Sequence, residues 1–325
     1  MRRILSIDGG GVRGIIPAVL LASLEQRTGR RARESFDFVA GTSTGAVLAA
    51  GIAAGVPAER MVRLYVERAP EIFRRVPIVT ELRRLLRGHR YDTAALATVL
   101  REELGEARDW RLNDAPIDLL VTAKRLADGM PWYFVRDNPA NSCRAGVVPL
   151  VDAVTASAAA PTYFRPWTID GIGELIDGGV GVAGNPVYQA CVEAFVYTDA
   201  YQPADTVVVS LGTGRHLGRE RPTWLWPWFG WLLSELLRSP AEQQTELVHR
   251  HYPEARFHRI DVELERDVGL DRVDAMDELR GIGERLARAV DWPAILDGHD
   301  ERWLVTDERT LPREYCRLGE AVRRR

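Results

Sequence analysis

Ser43 stands in Gly41-Thr42-Ser43-Thr44-Gly45, and upstream of it the chain reads Gly9-Gly10-Gly11-Val12-Arg13-Gly14. A Gly-x-Ser-x-Gly run lets a strand turn sharply into a helix and lifts the serine Oγ out of the sheet. The hydroxyl is a weak nucleophile until a base takes its proton. The glycine cluster supplies backbone N–H groups with no side chains in the way, and those of Gly10 and Gly11 suit an oxyanion. Arg13 would steady that loop or attract an anionic head group. The cluster also matches Gly-x-Gly-x-x-Gly after a strand, with Glu34 at the spacing of a ribose contact, so a nucleotide-binding module is the rival reading. No Gly-Lys-Ser/Thr follows, which rules out a P-loop.

The missing part is a base. Asp177 in Asp177-Gly178-Gly179 is the leading candidate, although Asp-Gly is also an ordinary turn and recurs at Asp8, Asp128, Asp170 and Asp297. A carboxylate becomes a useful base only where burial raises its proton affinity beside the hydroxyl. The six histidines lie in no motif. His249 and His251 would point apart on a helix, which argues against a metal site. A Ser-His-Asp triad, as in an esterase of the α/β-hydrolase type, would draw on His216 or His299.

These residues need elements to hold them. Ile4–Ile7 reads as a buried strand leading into the glycines, and Ile15–Gln26 as a helix with Pro17 in its first turn. Phe36–Ala40 predicts a strand before Ser43, and Ala46–Ala54 a small-residue helix after it. Further strands are expected at Ile117–Ala123, Glu174–Ile176 and Thr206–Leu211, and a helix at Val151–Ala160 stopped by Pro161. Strand, loop, helix, strand, turn, helix is the order of a parallel sheet covered by helices. The division is expected near 216: an α/β core over 1–215, and a Trp-rich, mostly helical part over 216–325 packed on it.

Composition narrows the classes. The chain has 325 residues, a formal net charge of −3 and 27% charged residues, so no basic excess favours nucleic acid. Three scattered cysteines fit a reducing compartment better than a disulfide framework or zinc site. The apolar run after Met1-Arg2-Arg3 is too short for a secretory signal, and no stretch is long enough to span a membrane. A cytoplasmic protein with no metal and no cofactor is expected.

Taken in order, Asp8–Gly14, Gly41–Gly45 and Asp177–Gly179 resemble the motifs of the patatin-like phospholipase family. Ala156–Phe164, Gly184-Asn185-Pro186 and Ser210–Gly214 extend the likeness over roughly residues 4 to 214. The resemblance implies a three-layer α/β/α sandwich with a mainly parallel sheet and a C-terminal helical extension. It also implies a Ser-Asp dyad without histidine: Ser43 as nucleophile, Asp177 as general base, and Gly9, Gly10, Gly11, Arg13 and Gly14 as the oxyanion loop. The expected reaction is hydrolysis of carboxylic esters of phospholipids or lysophospholipids through an acyl-enzyme, at a membrane met peripherally. Transfer of the acyl group to another acceptor, and an effector switched on by a nucleotide signal, are the enzymatic alternatives. A small-molecule activator and a homo-oligomer stay open as partners.

Four tryptophans, Trp224, Trp226, Trp228 and Trp231, crowd one segment beyond the resemblance. Tryptophan favours the membrane interface, where its ring is apolar and its N–H stays wet. A lipid-facing patch, core packing and an oligomer face are the three readings. Leu82–Arg87 and the terminal Arg323–Arg325 would touch anionic lipid or simply form solvated faces.

Overall fold

The computed structural model describes residues 1–74, 89–137, 144–181, 183–216, 228, 242–298 and 304–305. Its strands are β1 (Arg2–Ile7), β2 (Phe38–Thr42), β3 (Asp118–Arg125), β4 (Pro131–Val135), β5 (Trp167–Ile169), β6 (Gly173–Asp177), β7 (Thr206–Leu211), β8 (Arg256–Ile260) and β9 (Leu304–Val305). They join in one sheet ordered β5-β6-β3-β2-β1-β7-β8-β9, with β4 also on β3. The run from β3 through β2, β1, β7 and β8 to β9 is parallel, while β4, β5 and β6 pair antiparallel.

Strand side chains alternate between two apolar layers, as the pleat requires. Leu5, Ile7, Val39, Leu119, Val121, Val207 and Val209 enter one core, and Ile4, Phe38, Ala40, Leu120 and Val208 the other. The first core is covered by α1 (Ile15–Thr28), α2 (Thr44–Ala54), α3 (Thr93–Leu104), α4 (Leu150–Ser157) and, after one more helix, α6 (Met276–Ala289). The second is covered by α5 (Val187–Val196) and by the helix over 242–251. Helices on both faces of a mainly parallel sheet make three layers.

The predicted strands and helices appear with shifts of a few residues at their ends. The largest is at α4, which ends at Ser157 rather than running to Pro161. The Ala159 carbonyl beyond it turns out of the helix to accept from the Asp177 amide at 3.1 Å. Downstream of residue 216, β8 and β9 join the same sheet beside β7, and Gly283 of α6 brings that helix against Ile16 and Val19 of α1. The expected division therefore falls between two neighbouring strands of one sheet. Trp224, Trp226, Trp231, Leu82–Arg87, His299 and Arg323–Arg325 lie outside the described residues; Trp228 is exposed. Among the described residues no helix is long and apolar enough to cross a membrane.

One feature of the sheet positions the site. Leu120, Val121 and Thr122 of β3 pair with both β2 and β4, so those two lie on opposite edges of β3. Ala123 and Lys124 pair with both β4 and β6, so β6 also lies opposite β4. Consequently β2 and β6 share one edge and run toward each other. β2 ends at Thr42 opposite Thr122, and β6 ends at Asp177 opposite Ala123, the next residue.

Candidate active site

That meeting of strand ends brings the two motifs together. The chain turns from β2 into α2 at Ser43, whose φ of 55° and ψ of −120° are sparsely populated by non-glycine residues. Such a conformation costs about 1–3 kcal/mol and persists only where its surroundings enforce it. Here they do. A Cβ at Gly41 would sit 2.2 Å from the Gly45 carbonyl oxygen, and one at Gly45 would sit 2.1 Å from that of Ile7. Only glycine admits so tight a packing of the elbow against β1. The Ser43 amide donates to the Ser157 hydroxyl at 2.9 Å, and the Thr42 hydroxyl bonds to that of Thr122 at 2.7 Å. Thr44, at the start of α2, meets the buried Tyr65 hydroxyl.

Asp177 is buried, and burial pushes its carboxyl up to about 6. Hydrogen bonds from the Ser43 hydroxyl and the Gly179 amide, the latter at 2.7 Å, oppose that rise. Gly178 lies so close to β3 that a Cβ there would meet the Thr122 hydroxyl. Of the other Asp-Gly aspartates, Asp128 is held down near 2 by Arg125; burial pushes Asp8 up to about 6 as well, but its carboxylate is bound to Arg259 and not to Ser43, so the partner and not the shift sets Asp177 apart. No histidine is a partner of Ser43 or Asp177 among the described residues; the Nδ1 of His216 lies 2.8 Å from the Leu264 carbonyl oxygen.

The glycine loop packs on the same spot. A Cβ on Gly9 would lie 3.3 Å from the Ser43 Cβ, and the Gly9 amide donates to the Gly184 carbonyl at 2.9 Å. The amides of Val12 and Arg13 are taken by the carbonyls of Leu270 and Gly10. Those of Gly10 and Gly11 meet no acceptor among the described residues. The Arg13 guanidinium donates to the carbonyls of Gly10 and Gly214, spanning the loop. Glu34 is not at this loop. It lies before β2, at the opposite end of the sheet, with its carboxylate on the Arg31 amide, and this removes the ribose contact of the dinucleotide reading.

Several supporting residues had no role assigned from the sequence, although Ser157, Asn185 and Ser210 fall in stretches of the family resemblance. Ser157 falls in a small-residue run in which nothing marks its hydroxyl. Arg259 lies on β8, yet it donates to both Asp8 oxygens, to Ser210 and to Asp261. Asp261 in turn accepts from the Gly214 and Val262 amides and is held below the usual carboxylate range by Arg259 and Arg215 against its burial. Asn185 joins the layers below, taking the Val187 amide at 3.1 Å and the Ser6 hydroxyl at 3.4 Å.

The patatin-like phospholipase family model matches residues 5–191, more than half of the chain. The chain belongs to this family. A cGAMP-activated phospholipase of Vibrio cholerae is 34% identical over 236 residues, covering 67% of this chain and 65% of that protein. A cGAMP-activated phospholipase of Escherichia coli is 31% identical over 201 residues, covering 59% and 56%. Patatin-like protein 2 of Oryza sativa subsp. indica is 31% identical over 274 residues, covering 72% and 66%. This patatin-like chain thus spans about 56 to 65% of the length of the two bacterial relatives. The family match reaches from β1 to α5 and so includes Ser43, Asp177 and the glycine loop, but not Arg259 or Asp261.

Proposed function

We propose that the protein hydrolyses carboxylic ester bonds of phospholipids or lysophospholipids, with Ser43 as nucleophile and Asp177 as its base. The observation that carries this reading is a strained serine at a helix N-terminus, hydrogen-bonded to a buried carboxyl whose pKa of about 6 lets it accept a proton near neutral pH. Ser43 Oγ attacks the ester carbonyl carbon while its proton passes to Asp177. The amides of Gly10 and Gly11 meet the oxyanion, and the N-terminus of α2 favours the same charge. Collapse breaks the bond to the lyso alcohol, which leaves with the proton from Asp177. Water then attacks the acyl-Ser43 ester, delivers its proton to Asp177, and frees the fatty acid and the serine. The membrane is met peripherally, in the cytoplasm.

The deciding experiment is hydrolysis of mixed phospholipid vesicles, with products read by mass spectrometry, for wild type, Ser43→Ala and Asp177→Asn. Free fatty acid from wild type alone is expected. Equal release by a folded Ser43→Ala protein would sink the reading, and acyl transfer to an added alcohol in preference to water would make the enzyme a transferase.

A second reading concerns control. Two relatives at 34% and 31% identity are named for activation by cGAMP. We infer that a cyclic dinucleotide also raises the activity of this protein. Vesicle hydrolysis with and without cyclic GMP–AMP tests it, and full activity without any response would refute it.

A further inference from the structure

A hollow of about 420 Å³ opens at the end of the sheet away from Ser43. Arg2 and Arg3 begin β1 there, Asp37 precedes β2, and Asp118 begins β3. Ser43 stands at the far end of β2, about 20 Å of extended strand away. Ligands of open parallel sheets gather at the C-terminal edge. Catalysis therefore gives no reason for what lines this N-terminal one.

Five arginines line the hollow: Arg2, Arg3, Arg30, Arg136 and Arg33, whose guanidinium rests at the rim against Gly55, just past α2. Gathering like charges costs free energy unless something offsets it. Two of them are offset. Arg2 Nη1 donates to Asp37 at 2.7 Å, and Arg136 Nη1 to Asp118 at 3.1 Å. Those carboxylates are further engaged by the Arg3 amide at 2.8 Å and the Tyr201 hydroxyl at 2.7 Å. The third carboxylate in the lining, Glu34, takes the Arg31 amide at 2.9 Å. The guanidinium bonds of Arg3 and Arg30 go to the backbone carbonyls of Leu296 and Glu34. Among the described residues, Arg3, Arg30 and Arg33 have no carboxylate at ion-pair distance. The five arginines and three carboxylates of the lining thus leave an excess of two positive charges, the Met1 ammonium there being paired with Asp205.

We propose that this hollow binds a phosphodiester ligand of nucleotide size, its phosphates held by Arg3, Arg30 and Arg33. Guanidinium forks match phosphate oxygens in pairs, and they also stack on flat rings. The volume falls within the roughly 300–1,000 Å³ of small-molecule sites. A cyclic dinucleotide carries two phosphodiester charges and so matches the excess. β1 and β2 both run from this hollow to the catalytic end, one to the glycine loop and the other to Ser43. As the seat of an activator, the site rests on the activation reading above; its occupancy does not.

Equilibrium dialysis with cyclic GMP–AMP and with inorganic phosphate tests it on wild type, Arg30→Ala/Arg33→Ala and Arg30→Lys/Arg33→Lys. Wild type is expected to bind the nucleotide more tightly than phosphate. The alanine pair should weaken that binding roughly tenfold or more, with the lysine pair between. Ser43-dependent hydrolysis of a soluble short-chain ester should be unchanged in all three. Equal nucleotide affinity in wild type and the alanine pair overturns the proposal, even where the nucleotide activates. Phosphate binding as tightly as the nucleotide overturns it as well, as does wild type that binds neither. If wild type that binds neither is also fully active on vesicles, the activation reading falls too, while the Ser43 chemistry stands on its own assay.

Discussion

Asp177 is where burial and hydrogen bonding oppose each other, and the balance leaves its carboxyl at about 6. Two predictions follow from that one value. As the base for Ser43, Asp177 must be ionised, so kcat/KM on a soluble ester should fall as pH drops below about 6. A profile flat down to pH 4.5 would exclude Asp177 as the base. The second prediction concerns stability. The folded-state pKa lies above the ordinary 3.8, so folding favours the protonated form. That contribution is whole below about pH 4 and is lost as pH rises through about 6. At neutral pH the ionised carboxylate therefore weighs against the fold by an amount on the order of 3 kcal/mol. Asp177→Asn keeps an oxygen for the Gly179 amide and removes the charge. Its melting temperature should exceed that of wild type at pH 8 and lose that advantage by pH 4, while its hydrolysis is abolished. Thermal melts across that range check the sign.

At the scale of elements, the elbow depends on close approach more than on any one bond. Gly45→Ala would drive a methyl group into the Ile7 carbonyl, a clash with backbone that no side-chain shift relieves. We expect it to abolish soluble, folded protein, which expression and circular dichroism will show. Ser157→Ala is subtler. It leaves the Ser43 amide without its buried acceptor, a loss of about 1–3 kcal/mol, and loosens the strained residue itself. The denaturant midpoint should fall modestly while kcat/KM falls much further; an unchanged kcat/KM would show that the elbow holds without it. These elements were unevenly legible in the sequence. β1, β2 and β7 announced themselves because strands buried on both faces are continuous apolar runs. The Gly-x-Ser-x-Gly turn was legible because its glycines answer a steric need local to the turn. The choice of Asp177 was not legible from Asp-Gly alone. It depends on β2 and β6 meeting end to end on one edge of β3, a long-range fact. β4 and β5 are short and lack a clear alternation, so periodicity left them unmarked; α6, whose Met276, Leu279, Ile282 and Leu286 recur at helical spacing, was legible only as part of a mostly helical segment, and its packing on α1 was not.

At the scale of the whole molecule, the glycine loop is braced by residues far from it in sequence. Val12 donates to Leu270, Arg13 reaches Gly214, and Gly214 is tied to Asp261. Arg259 closes the arrangement between Asp8, just before the loop, and Asp261. All three charged groups are buried. A buried ion network adds little over a well-packed apolar core, but removing one member leaves the others uncompensated, typically at about 3–5 kcal/mol. Arg259→Met keeps the volume and removes the cation. Asp8 would then be a buried carboxylate with only the Arg13 cation nearby, and its folded-state pKa, already pushed up to about 6 by burial, would rise further. A folded-state pKa raised above the unfolded one takes stability away as pH climbs, so the deficit of the variant should be small at pH 5 and grow toward pH 8. Hydrolysis should fall as well, because the loop that presents the Gly10 and Gly11 amides loses its anchor at Asp8. A melting-temperature deficit independent of pH would mean that Arg259 serves packing alone. A deficit that widens with pH, together with lost activity, would mean that a strand beyond the family match holds the glycine loop in its working shape.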